Sequence, residues 1–163
     1  MPTDNGELRD ALIKVYAMEK GTCEFYERAA RAAYEEAARA GFKELARLEG
    51  EHMDYIRYLY HAMAGGRELM DIEKFRRNRP EVPEEEVPEA GPGEWASDYS
   101  FVDELGAIME ALKMEARLFA FYDDIIGKVR GTEAGALIER LKNLEETHIK
   151  YLKELRLRLD ETA

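Results

Sequence analysis

Glutamate and histidine recur at one spacing in two places, Glu49-x-x-His52 within LARLEGEHMDYIRYL and Glu145-x-x-His148 within LKNLEETHIKYL. On a helix, residues three apart lie about 60° from one another, so each pair aims a carboxylate oxygen and an imidazole nitrogen at one point. That is a way to hold a metal ion. Leu45, Leu48, Tyr55 and Leu59 share the face of the first pair, and their counterparts flank the second, so both pairs fall inside an apolar stripe. An ionised carboxylate buried there alone costs several kcal/mol and needs a cation or a proton beside it.

The repetition extends well beyond the two motifs. One shift of 96 positions carries Met18-Glu19 onto Met114-Glu115, Phe25-Tyr26 onto Phe121-Tyr122, Leu45 onto Leu141, Leu48 onto Leu144, Glu49 onto Glu145, His52 onto His148, Tyr55 onto Tyr151 and Leu59 onto Leu155. A single Glu-x-x-His in an acidic helical chain is an ordinary accident. Two copies, each 30 residues after a repeated glutamate, are not. Glu19 and Glu115 each stand two helical turns before a tyrosine, Tyr26 or Tyr122, which places glutamate and tyrosine on one inward face. Antiparallel helices joined by short turns bring their middles level, so Glu19, Glu49, His52, Glu115, Glu145 and His148 are expected to converge. Four carboxylates carry the charge that two divalent ions neutralise.

The elements that must position these residues read as helices throughout. Four of the five prolines, with Gly91 and Gly93, fall between Pro80 and Gly93 and divide the chain. Each half is rich in Ala, Leu, Glu, Lys and Arg, with apolar residues every three or four positions, and reads as two long helices joined tightly. The first helix is expected from an N-cap at Asp4 or Asn5 to about Ala38, with Gly41 in the following turn, and the second from about Phe42 to Ala64, stopping at Gly65-Gly66. RELMDIEKF, residues 67–75, adds a short helical piece. Ser100 with Asp103 resembles a capping box opening the third helix, which ends near Gly127 to Gly131; Thr132 caps the fourth, which runs to about Leu159. The reading is one all-α domain over residues 1–163: a hairpin at about 5–65, a proline-rich crossover at about 76–99 and a second hairpin at about 100–160.

Composition narrows the function. Charged residues make up 36% of the 163 and the formal net charge is −11, which repels nucleic acid and anionic membranes. The basic cluster KFRRNR at 74–79 reads as a solvated junction. No run approaches the roughly 18 apolar residues of a membrane span, the first ten residues lack an export pattern, and the single Cys23 permits neither an internal disulfide nor a Cys-x-x-Cys knuckle. A cytoplasmic location is expected.

With its paired Glu-x-x-His motifs and paired upstream glutamates, the sequence resembles the ferritin-like superfamily, most closely its rubrerythrin-like members, over residues 10–60 and 105–156. The resemblance implies a four-helix bundle of two repeated hairpins joined by a long crossover. It implies a di-iron centre in which Glu49 and Glu145 bridge two metals, Glu19 and Glu115 are terminal carboxylates, and His52 and His148 are terminal nitrogen ligands. Manganese or zinc suits the same donors. The implied activity is reduction of peroxide or O₂, with re-reduction by an external electron donor. Iron oxidation and handling or storage, and a metal-stabilised structural or sensor bundle without turnover, are the alternatives. Three features depart from the family pattern. One cysteine excludes a rubredoxin module; Leu112 and Leu118 occupy the positions where rubrerythrins carry an additional glutamate; and Gly50 stands where bacterioferritins have a haem-ligating methionine, so no haem is expected.

Other residues have plainer readings. Tyr26 and Tyr122 either hydrogen-bond ligands and move protons or electrons near the metals, or are core tyrosines with satisfied hydroxyls. Tyr55 and Tyr151 read as packing residues, Cys23 as a small core residue, His61 as a surface or interface residue, and Trp95 as a pin for the crossover. The long crossover between separable hairpins permits exchange between two chains, and a homodimer, swapped or not, is expected.

Overall fold

A computed structural model describes residues 5–90 and 103–162. Among them all regular structure is helical: α1 Asn5–Ala32, α2 Glu36–Ala64, α3 Ile72–Asn78, α4 Glu104–Val129 and α5 Glu133–Thr162. The buried positions of α1, from Leu8 through Leu12, Val15, Glu19, Thr22, Tyr26 and Ala29, recur every three or four residues, as one face of a helix must. The other long helices follow the same rule. α1 packs chiefly along α2 and α4 along α5, with further packing of α1 on α4, α2 on α5 and α3 on α5. The result is an all-α bundle.

Its apolar core is in two parts. One cluster gathers Leu8 to Met18 of α1, Tyr55 to Ala62 of α2, Leu118 to Val129 of α4 and Leu137 to Leu141 of α5. The other gathers Phe25 to Ala33, Ala38 to Ala46, Ala107 to Met114 and Leu152 to Leu159. On every long helix the glutamates and histidines of the repeat fall between these stretches. Neighbouring long helices must therefore run antiparallel, and α2 finishes at the opposite end of the bundle from where α4 begins. The shift of 96 positions exchanges the two clusters: Met18, Tyr55 and Leu59 belong to one, and Met114 and Leu155 to the other, with Tyr151 packed against it. An internal two-fold relation thus passes through the polar layer.

Several boundaries differ from the sequence reading. α1 ends at Ala32 rather than Ala38, and Gly41 lies inside α2, buried. The turn at Tyr34-Glu35 is made by a distant partner: both backbone N–H groups donate to Glu104 Oε1 of α4, the second at 2.6 Å. Gly41 serves close packing, since a Cβ there would come within 2.9 Å of Leu155 Cδ2 on α5. α2 stops as expected, with Gly66 in the left-handed region at φ +65°. The short helix starts at Ile72 because residues 67–71 are held otherwise: Tyr58 Oη donates to Glu68 O at 2.7 Å, Tyr55 Oη to Met70 O at 2.8 Å, and Asp71 caps α3 by accepting from Lys74 N. The crossover thus begins only after Asn78. Asp103 itself caps α4, accepting from Gly106 N at 2.7 Å; Ser100, Trp95 and Asp4 lie outside the described residues. Asn5 is already helical, and α5 runs on to Thr162.

Candidate metal centre

All six repeated acid and imidazole residues are buried: Glu19, Glu49, Glu115 and Glu145 have no exposed surface, His52 has 1% and His148 3%. They come from the middles of α1, α2, α4 and α5, one glutamate from each helix and one histidine from α2 and α5. Helical spacing points Glu49 with His52, and Glu145 with His148, at the space between the four helices, where neither apolar cluster reaches.

The contacts cross the bundle in symmetric pairs. His52 Nδ1 lies 2.8 Å from Glu145 Oε1, and His148 Nδ1 lies 2.9 Å from Glu49 Oε1. His52 Nδ1 is 3.6 Å from Glu19 Oε1, and His148 Nδ1 is 3.6 Å from Glu115 Oε1. The two imidazole rings stack at 5.1 Å with 14° between their planes. Glu49, His52, Glu145 and His148 each bring a ligand atom within 4.8 Å of the others, a group that can hold a metal ion. Glu19 and Glu115 flank that group through their contacts with the histidines.

Tyr26 and Tyr122 complete the layer, and each reaches the glutamate of the opposite half. Tyr26 Oη donates to Glu115 Oε1 at 2.7 Å, and Tyr122 Oη donates to Glu19 Oε1 at 2.8 Å. The sequence places each tyrosine on the face of its own helix's glutamate and carries no signal for this crossing, which depends on how α1 and α4 pack. Both phenols are pushed well above their usual range, by burial first and then by the carboxylate each touches, so they stay protonated donors.

The remaining carboxylate oxygens are informative. The second oxygen, Oε2, of Glu19, Glu49, Glu115 and Glu145 is in every case buried and meets no hydroxyl or backbone donor; that of Glu145 has His148 Nδ1 at 3.1 Å. Four such oxygens in one layer leave a large uncompensated cost unless cations or protons meet them. In the metal-free chain protons do so in part. Burial, then the charges of the neighbouring glutamates, pushes Glu49 and Glu145 well above the carboxylate range. A proton kept by Glu49 turns it into a donor. Burial also pushes Glu19 and Glu115 upward, but the hydrogen bonds they accept, from Glu49 and His52 for Glu19 and from His148 and Glu145 for Glu115, hold both below their ordinary value. Burial lowers both histidines, yet the surrounding carboxylates outweigh it and raise His52 to about 9 and His148 to about 11. The donor set, four carboxylates and two imidazoles, fits divalent cations that would displace those protons.

Several readings of individual residues hold. Tyr55 is packed in the core, Tyr151 is partly buried against it, and His61 bonds Glu85 O at 2.8 Å on the surface. Cys23 is buried, its thiol pushed up to about 12 by burial and then by Glu27, which leaves it unreactive. Leu118 is buried and Leu112 partly so, both packed with the apolar clusters. KFRRNR forms most of α3 with its cap, and Arg76 pairs with Glu51 at 3.1 Å. No helix among the described residues is long and apolar enough to cross a membrane. Compared with protein-family models, with curated proteins and with solved structures, the chain finds no match. What defines it is an all-α bundle with a buried, symmetric layer of glutamate and histidine.

Proposed function

We propose that this chain is a ferritin-like, rubrerythrin-like non-haem di-iron oxidoreductase that reduces peroxide or dioxygen, built as two repeated hairpins joined by a crossover. The observation that carries the reading is the convergence of four fully buried glutamates on two imidazoles, arranged about an internal two-fold relation. A symmetric donor set of charge −4 calls for two divalent ions rather than one. Glu49 and Glu145, each already reaching the histidine of the other half, would be shared between the two ions; Glu19 with His52, and Glu115 with His148, would each serve one. When bound, two iron ions supply the electrons that convert peroxide or dioxygen toward water.

The protein's own part is orientation, exclusion and proton supply. Tyr26 and Tyr122 fasten Oε1 of Glu115 and Glu19, the oxygens that also lie 3.6 Å from His148 and His52. Their phenol protons lie within one hydrogen bond of that layer and can support proton delivery as an oxidant is reduced. The two apolar clusters close the layer from both ends of the bundle. A crevice of only about 10 Å³ lies between α1 and α4, bounded by Met18, Thr22, Met114, Arg117 and Leu118. Four of those residues stand one before or three after Glu19 and Glu115, so the crevice lies over the glutamate pair. Its size admits about one water and excludes bulky substrates unless the side chains move. A cytoplasmic homodimer served by an external electron donor belongs to the same proposal.

The test is anaerobic loading with ferrous iron followed by peroxide or O₂ while the visible spectrum is recorded. A rapid absorption change that an external reductant reverses supports the reading. Iron that is retained but unchanged by either oxidant would reduce the centre to a structural staple between the two clusters.

A further inference from the structure

α2 presents His52 to the interior, while Glu51, Asp54 and Arg57 of the same helix line a groove of about 400 Å³ on its outer side. Phe75, Arg76 and Arg79, from α3 and its cap, form the opposite wall. Three guanidiniums against two carboxylates leave the groove with a net positive charge on a chain whose net charge is −11.

The pairing inside the groove sharpens this imbalance. Glu51 is held by Arg47 at 2.6 Å and by Arg76 at 3.1 Å, so its charge is already met. Asp54 approaches Arg57 only to 4.0 Å, and Arg57 Nε is buried without a hydrogen-bond partner. Arg79 makes no ion pair among the described residues, although the next ten include Glu81, Glu84, Glu85, Glu86 and Glu89. It also occupies the left-handed region, φ 42° and ψ 61°, the one residue other than glycine to do so among those described. Glycine would sit there without strain. An arginine at such a cap, aimed at a groove already lined by another arginine with an idle buried donor, is explained by what its guanidinium binds. Phe75 adds an aromatic surface, its ring 5.4 Å from that of Tyr55 and 5.1 Å from that of Tyr58.

We propose that this groove binds a small molecule in which an aromatic ring carries a phosphate or carboxylate, with Arg57 and Arg79 meeting the anion and Phe75 the ring. Arginine is suited to both halves of such a ligand, since it pairs with oxyanions through its fork and stacks on rings through its plane. The site is distinct from the glutamate and histidine layer, and its occupancy does not depend on which metal that layer holds.

Calorimetric titration of the purified full chain with phenyl phosphate, benzoate, phenol and inorganic phosphate tests this. At least one of the two aromatic anions is expected to bind with a dissociation constant below about 1 mM, and at least about tenfold more tightly than phenol or inorganic phosphate. Whichever anion leads assigns the headgroup. Arg57→Ala and Arg79→Gly are each expected to weaken that binding about tenfold, and Arg79→Gly should do so with a melting temperature no lower than the parent's, because glycine relieves the strained cap. No saturable binding by either aromatic anion, equal binding of phenol or inorganic phosphate, or an Arg79→Gly chain that binds as well as the parent, would overturn the proposal.

Discussion

The six buried donors obey opposing rules as single residues, and substitutions expose the conflict. Glu49→Gln keeps the shape of a side chain that the metal-free layer already drives toward its neutral form. The metal-free variant should therefore be at least as stable as the parent, while the rise in melting temperature on adding metal shrinks or disappears; thermal melts with and without chelator check both halves. Tyr122→Phe and Tyr26→Phe each remove the hydroxyl donor to a buried carboxylate oxygen. Each should cost about 1–3 kcal/mol in the metal-free chain, and the two costs should match, because the residues are two-fold equivalents; denaturant unfolding measures them. The acid and imidazole residues and their repetition were legible in the sequence, because helical spacing alone fixes which side chains share a face. The crossed partners, His52 with Glu145 and Tyr26 with Glu115, were not, since no spacing along one helix says which neighbour a side chain meets. Proton binding gives a prediction of definite sign. His52 and His148, held up to about 9 and about 11 against an ordinary 6.5, contribute stability that is complete below pH 6.5 and is lost as pH rises through those values. Glu49 and Glu145 are raised too and act in the same direction from about pH 4.5 upward, whereas Glu19 and Glu115 are lowered and lose their contribution on acidification. Between pH 6 and 9 the chelated chain should melt at progressively lower temperature, and metal, which competes with those protons, should bind more tightly.

The long helices were legible as elements because each carries its buried face at a regular spacing, and the glycine stop at Gly65-Gly66 marks a real end. The start of α2 was hidden for a physical reason. RAAYEEAARAGF favours helix throughout, and its break at Tyr34-Glu35 is stabilised by Glu104, some seventy residues away. Gly41 then looks like a turn residue when it is in fact a point of close approach between α2 and α5. Gly41→Ala should cost about 1 kcal/mol in thermal unfolding, because the new methyl group must displace the end of Leu155. Trimming the obstacle as well, in Gly41→Ala with Leu155→Val, should recover part of that loss and so identify the contact responsible. The connection from α2 to α3 follows the same lesson. Its course is set by the hydroxyls of Tyr55 and Tyr58; the ring of Tyr55 was legible as packing, but the hydroxyl partners, backbone carbonyls of residues 68 and 70, lie off the helix and carry no signal in its spacing.

At the scale of the whole molecule the notable feature is a core interrupted at its middle by a charged layer. Two apolar clusters that each draw on all four long helices are separated by side chains that cost energy to bury, so the bundle should be markedly more stable when that layer is neutralised. Each ion at about a hundred times its dissociation constant should add about 2.7 kcal/mol, so two should add about 5.4 kcal/mol, a rise in melting temperature of roughly 10–20 °C for a chain of this size. In the proposed two-metal reading, each Glu and His pair serves one ion and its two-fold equivalent serves the other. The decisive measurement is anaerobic titration of the chelated chain with ferrous iron, followed by calorimetry and elemental analysis. Two irons per chain are expected, falling to one or none in Glu49→Gln and equally in Glu145→Gln. An uptake of no iron, or a full complement retained by both variants, would contradict it.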